Sequence, residues 1–361
     1  MRFATVVLGA VLSGLCACSH SRLGPTLPAS HGHLSRTMAQ YLDPKTEGLE
    51  VQAALGVPSH SVETSVVVEP AEAPAIFAEA MQVLSGKPTE EHVRQASADL
   101  SAACDAALTQ ACDYLRTNFQ PPRRIAGEPP GFPEEAMRER AMAVVIVTFQ
   151  LGVDGLPRHV QVLESAPYGL TEAMLTSVKG MRFQPAMLAG HPIEIPYQLQ
   201  MNTRFPGAKL TPQEELEWGR TRAAHFPTSP AAWAHVARAY ARDLPEDPQY
   251  ERALRKLTVL APNYWWAATE LAWLHARAGR YDEAAPLARV GRKMSSHNPY
   301  ALETSALVAF HQGRCQQAVQ EQQQAVAKLP AKWPREEQER FQRVLTDYQR
   351  QCETAPTPAS H

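Results

Sequence analysis

No stretch of the 361-residue chain reaches the ~18 consecutive apolar residues that a membrane-spanning helix needs, so a polytopic membrane protein is excluded. Neither sign of charge dominates: 35 Lys and Arg stand against 37 Asp and Glu, for a net charge of −2. That balance lacks the clustered positive excess that a nucleic-acid or polybasic membrane surface requires. Only six cysteines occur, with neither C-x-x-C nor paired metal spacing, which argues against a zinc site. A P-loop, a dinucleotide glycine fingerprint, H-E-x-x-H and G-x-S-x-G are all missing. The 13 histidines are scattered, and His159, His275 and His311 read as surface or packing residues. No enzyme, cofactor or metal is therefore expected. What is abundant is proline: 30 residues, about 8% against a usual ~5%, which predicts linker in part of the chain.

The N-terminus pairs Arg2 with a short apolar stretch from Ala4 to Leu15, too short to span a bilayer. It ends in Leu15-Cys16-Ala17-Cys18, which resembles a bacterial lipobox. The resemblance implies that residues 1–17 are a signal peptide and that Cys18 is acylated. A plain secretory signal cut nearby is the alternative, and both export the protein. Residues 18–74, rich in Ser, Pro, Thr and His, are expected to be a flexible tether, with His31 and His33 solvated.

Residues 75–118 read as helical. With Cys16 removed and Cys18 lipidated, Cys104, Cys112, Cys315 and Cys352 remain, an even number that in an oxidising compartment implies two disulfides with three possible connectivities. The C-x7-C pair with Ala before each Cys resembles Sel-like helical repeats. Eight residues of unbroken helix would separate the two by about 12 Å, beyond the ~7 Å that a disulfide spans, so a turn is required near Ala106 to Thr109. Chain order and the separate modules favour Cys104–Cys112 and Cys315–Cys352.

Residues 120–206 form the clearest domain signal. Phe132-Pro133-Glu134-Glu135-Ala136 opens a helix, with Pro at its start and acids at its positive end. A β-branched run from Ala143 to Leu151, an Asp154-Gly155 turn and a returning strand from Arg158 to Ser165 follow. Thr171 to Gly180 fits a helix, and Ile193 to Phe205 alternates as a half-buried strand. Phe132 to Ala136, Phe149 to Val162 and Met181-Arg182-Phe183-Gln184-Pro185-Ala186 together resemble the C-terminal domain of the TonB energy transducers, with Met181 in place of the usual Trp. In that family the last strand meets an extended segment of an outer-membrane receptor plug. The resemblance thus implies strand addition along Gln198, Gln200, Asn202 and Arg204. The alternative is that this strand only completes the sheet, with Pro196 protecting its edge.

Residues 212–353 are helical and repetitive. Tyr250, Ala284 and Ala318 recur at 34 residues, as do Gly279 and Gly313, which resembles tetratricopeptide repeats closed by a capping helix. Mapping repeat positions puts Arg238, Arg242, Trp266, Trp273, Arg277, Tyr300, Glu303 and His311 along a concave groove. Aromatic and Arg side chains in a groove suit peptide binding, although Trp266 and Trp273 at i, i+7 equally fit a core. Residues 354–361 are expected to be a disordered tail.

The predicted fold class is α+β: a small TonB C-terminal-like layer followed by an all-α repeat stack, with a helical N-terminal segment. The function expected is that of a non-enzymatic, lipid-anchored periplasmic adaptor in a Gram-negative-type envelope, at the outer membrane by default. Its partners would be proteins and, through the anchor, the membrane, with no nucleic acid. The alternative is an atypical TonB-type energy transducer for receptor-mediated uptake.

Overall fold

The computed structural model describes residues 27–42, 68–106, 108–203 and 210–354. The expected signal peptide and Cys18, as well as Arg204 and residues 355–361, lie outside these residues. The described elements are a small α+β region around residues 119–203 followed by a helical stack, with helices ahead of both.

The α+β region begins earlier than its expected boundary. Helices α2 (Ala73–Leu84), α3 (Glu90–Asp105) and α4 (Thr109–Asn118) precede short strands β1 (Phe119–Gln120) and β2 (Arg123–Ala126). After α5 (Glu134–Arg138) come β3 (Ala143–Leu151), β4 (Pro157–Glu164), α6 (Leu170–Gly180) and β5 (Arg182–Gln184). The last strands are β6 (Ala186–Leu188), β7 (His191–Ile193) and β8 (Ile195–Thr203). Strand β1 pairs with β6, and Ala80, Leu84, Val93 and Leu100 share one core with Leu188 and Ile193. The separation expected between residues 75–118 and 120–206 is therefore corrected: one hydrophobic core runs across it. The single strand expected from Ile193 is also divided. Ala189 and Gly190 both take positive φ, turning β6 back into β7, so the Ile193 side chain belongs to the α2–α3 core.

The main sheet has the antiparallel order β4-β3-β8. Odd residues of β3 (Val145, Val147, Phe149, Leu151) pack against Leu170, Met174 and Val178 of α6. The Asp154-Gly155 turn closes the β3–β4 hairpin, with Gly155 at φ +75° and its carbonyl accepting from Phe183 N–H at 3.0 Å. A Cβ there would stand 1.9 Å from the Phe183 oxygen, so only glycine fits.

The stack comprises α7 (Pro212–His225), α8 (Pro230–Asp243), α9 (Pro248–Leu260), α10 (Trp265–Arg277), α11 (Tyr281–Met294), α12 (Pro299–His311), α13 (Cys315–Lys328) and α14 (Arg335–Thr354). Its helix starts carry their own signals. Thr211 makes a capping box with Glu214, and Ser229, Asp247 and Asn298 each cap a helix whose first turn holds Pro. Gly279 and Gly313 both sit at φ +76°, closing the turns into α11 and α13. Both expected disulfides form, with Cα–Cα distances of 4.8 Å for Cys104–Cys112 and 5.6 Å for Cys315–Cys352. The first is possible because the chain turns between α3 and α4. The second joins the start of α13 to the end of α14.

The tether expectation is corrected for residues 27–42. Gly32–Leu42 forms helix α1, with Met38 fully buried beside Tyr300, Leu302 and Phe341, and Ala39 within the core of α8–α10. Leu34, Met38 and Leu42 recur at i, i+4 and i+8, giving this short helix an apolar stripe that only tertiary packing can stabilise. Among the described residues, no helix is long and apolar enough to cross a membrane.

Candidate functional site

Strand β8 is the feature that the sequence singled out, and its position decides what it can do. It pairs with β3 along its whole length, Ala143 opposite Thr203 through Leu151 opposite Ile195, and among the described residues it has no second neighbour. It is therefore a sheet edge. Proline within a sheet is tolerated where its missing N–H would have faced away from the partner strand. Pro196 thus marks the even positions, Gln198, Gln200 and Asn202 among them, as those whose backbone groups face the open edge. At the other parity, Thr203 turns its hydroxyl onto Ala143, accepting from the amide at 2.9 Å and donating to the carbonyl at 3.1 Å.

The polar side chains of β8 do not point to open solvent as the alternation implied. Gln200 and Asn202 lie opposite Ile146 and Val144, the β3 face that packs on Trp218 of α7 and Ala231 of α8. Gln198 is buried on this face, which corrects its outward assignment. Gln200 and Asn202 are exposed into a cleft of about 470 Å³, where Gln200 Nε2 donates to Asn202 Oδ1 at 2.6 Å. Across the cleft stand Arg36 and Gln40 from α1, and Arg238 and Arg242 from α8. Arg242 is held by Asp243 at 2.7 Å and Glu215 at 3.0 Å.

The sheet is locked onto the stack at the end of β4. Glu164, fully buried, accepts a bidentate pair from Arg222 of α7, Nε at 2.5 Å and Nη2 at 2.8 Å, and a short hydrogen bond from the Ser229 hydroxyl. Arg222 also lines the cleft beside β8.

The expected groove residues divide into three groups. Arg238 and Arg242 line the β8 cleft. Trp266, Trp273, Arg277 and Tyr300 surround the N-terminal segment: the Trp266 indole donates to the Gly32 carbonyl at 2.6 Å, and the Trp273 indole donates to Pro28 at 3.0 Å. Arg277 reaches the Ala29 carbonyl at 2.7 Å, and the Tyr300 ring lies 5.0 Å from His31. Both tryptophans are thus buried and contact a peptide segment at once. Glu303 and His311 are placed elsewhere. Glu303 is buried against Arg340 of the closing helix, and His311 stacks on Tyr281 at 4.3 Å. The assignment of Glu303 to an open groove is corrected, because a buried carboxylate is retained only with a paired cation, whereas His311 sits exposed at the end of α12 against α11.

Sequence reasoning missed Glu270, Tyr250 and the solvated-looking Ser30-His31-Gly32. Glu270 is a lone acid in the otherwise apolar run of α10, the one available signal. It accepts from Ser30 Oγ at 2.7 Å and Tyr250 OH at 2.9 Å, with His31 Nδ1 at 2.7 Å. Burial and the Glu270 carboxylate push the Tyr250 hydroxyl well above its usual range, so it stays a donor.

Residues 128–205 match the family model described as Gram-negative bacterial TonB protein C-terminal. No curated protein matches the chain. Among solved structures, the one titled MamA RS-1 ArsTM double mutant is similar at 16% identity and a TM-score of 0.31, covering 40% of this chain and 89% of that one. That score carries neither fold nor function across. The chain carries a TonB C-terminal domain of the Gram-negative type at residues 128–205, followed by a helical C-terminal region.

Proposed function

We propose that this chain is a non-enzymatic protein–protein adaptor of the Gram-negative envelope that captures an extended partner segment by adding it as a strand to β8. The observation that carries the reading is the edge position of β8, whose even-numbered backbone groups have no neighbouring strand among the described residues. Main-chain pairing at such an edge supplies affinity with little dependence on the partner's sequence. The partner class that fits the domain family is an extended segment of an outer-membrane receptor. In this reading Cys18 carries a lipid that holds the protein at the periplasmic side of the outer membrane, and the 34-residue helix pairs are tetratricopeptide-type repeats that serve as its scaffold. A photo-crosslinkable residue in place of Gln200, activated in intact cells, tests it. Crosslinks should map to an extended segment of an outer-membrane protein. Crosslinks confined to this chain's own α1 and α8 would refute strand capture at β8.

A further inference from the structure

A groove that binds extended peptides presents donors to backbone carbonyls and a pocket for one or two side chains. The concave face of the stack does this to residues 28–42. Three successive side-chain donors, Trp273, Arg277 and Trp266, hold the carbonyls of Pro28, Ala29 and Gly32. Further along, Asn298 Nδ2 donates to the Ser35 carbonyl at 3.0 Å, and Arg36 reaches the Tyr264 hydroxyl at 3.2 Å. These contacts read a chain path. Sequence is read at the Ser30-His31-Gly32 turn, where Glu270 takes the Ser30 hydroxyl on one oxygen and faces the His31 ring with the other. The His31 ring is wedged 4.2 Å from Trp273 and 5.0 Å from Tyr300, with Thr304 Oγ1 3.3 Å from its second nitrogen. At Gly32 a Cβ would stand 2.7 Å from Glu270 Oε2 and 2.8 Å from the Tyr250 hydroxyl, so a larger residue is excluded by the same two side chains that read its neighbours.

We propose that the concave face of the helical stack is a peptide site specific for a Ser-His-Gly turn followed by an amphipathic helix, and that the chain's own Pro28–Leu42 segment is its resident, releasable ligand. Helix α1 packs on the stack through Leu34, Met38 and Ala39, and side-chain donors hold the residues ahead of it, but among the described residues no backbone–backbone hydrogen bond joins the segment to the stack. It can therefore open as one unit without breaking a backbone ladder of the stack. While it is seated, the groove is closed to any other peptide, and a competitor's apparent affinity is reduced by the small fraction of open molecules. Helix α1 also walls the β8 cleft through Arg36 and Gln40, but the contacts that read the segment lie on the stack and do not rest on strand capture at β8.

Two measurements on the full chain test the proposal. The first is amide exchange of wild type, in which residues 29–42 should exchange more slowly than the same sequence as a free peptide, yet faster than the amides of α10 and α12. Exchange at the free-peptide rate would show an empty groove, and exchange only with α10 and α12 would show a fixed core element; either overturns it. The second is binding of a fluorescent synthetic peptide of residues 27–42. The His31→Ala chain, whose own segment is weakened while the groove wall is intact, should bind it at least tenfold more tightly than wild type. The same peptide with Gly32→Val should bind at least tenfold more weakly to that variant. Equal binding to both chains, or indifference to Gly32→Val, would overturn the specificity claimed.

Discussion

Replacing Glu164 with Gln probes the joint between the sheet and the helical stack. The carboxylate is fully buried and its partner Arg222 is 7% exposed, so neither charge has water to fall back on. Removing one member of such a pair leaves the other uncompensated, at a cost of about 3–5 kcal/mol. Gln keeps the volume and one acceptor oxygen for Ser229 and Arg222, which places the expected loss near the lower figure, about 3 kcal/mol. Because the chain holds several packed units, one unfolding free energy does not describe it, and native-state amide exchange is the suitable assay. At ~1.4 kcal/mol per tenfold, the amides of α7 that are protected by docking should exchange roughly a hundredfold faster in Glu164→Gln. Arg222→Met should do the same, while the Glu164→Gln/Arg222→Met double variant should lose clearly less than the sum of the two, since neither charge is then left buried without its partner. Unchanged protection in Glu164→Gln, or strictly additive single effects, would refute the joint as a coupled buried pair.

Two further outcomes follow from the stack and the N-terminal helices. Opening Cys315–Cys352, a separation of 37, should destabilise the oxidised protein by about 4 kcal/mol in the chain-entropy model, against about 2.5 kcal/mol for Cys104–Cys112 at a separation of 8. Native-state amide exchange, read at α13–α14 in Cys352→Ser and at α3–α4 in Cys112→Ser, checks the order, and a larger loss of protection in Cys112→Ser contradicts it. The hydrogen bond from Arg280, followed by that from Arg255, lowers Glu251 from 4.5 to about 2 against the opposing effect of burial. A depressed folded-state value means that its contribution is complete above the unfolded pKa and is lost as pH falls from about 4.5 through about 2. Glu251→Gln should therefore flatten the acid limb of stability in that window, and an identical acid limb in both proteins would show that the ion pair adds nothing.

The elements legible in the sequence are those whose local pattern and tertiary role agree. The run Ala143–Leu151 is β-branched because both faces of β3 are covered, the Asp154-Gly155 turn because only glycine clears Phe183, and the glycines at 279 and 313 because both turns need positive φ. The cysteine pairs followed from chain order and from the separate modules that carry them. Residues 27–42 were not legible, because Ser, His, Gly and Pro read as solvated chain when their partners, Glu270, Tyr250 and the tryptophans, lie more than 200 residues away. The i, i+4, i+8 stripe of Leu34, Met38 and Leu42 was the signal present. Likewise, alternation in β8 separates two faces but cannot say what covers the polar one; that follows from Trp218 and Ala231 packing on Val144 and Ile146. Glu164 carries no local signal in the sequence, since its partners sit on helices of another module.

Strand capture at β8 is tested most directly by proline substitution at a position of known parity. A photo-crosslinkable residue at Asn202 reports the partner segment, and its yield is compared in Gln200→Ala and Gln200→Pro backgrounds. Alanine leaves the outward amide in place and should keep the crosslink. Proline removes that donor without touching the β3 ladder, so circular dichroism should stay as in wild type while the crosslink is lost. A folded Gln200→Pro protein that crosslinks as efficiently as wild type would contradict strand addition at this edge.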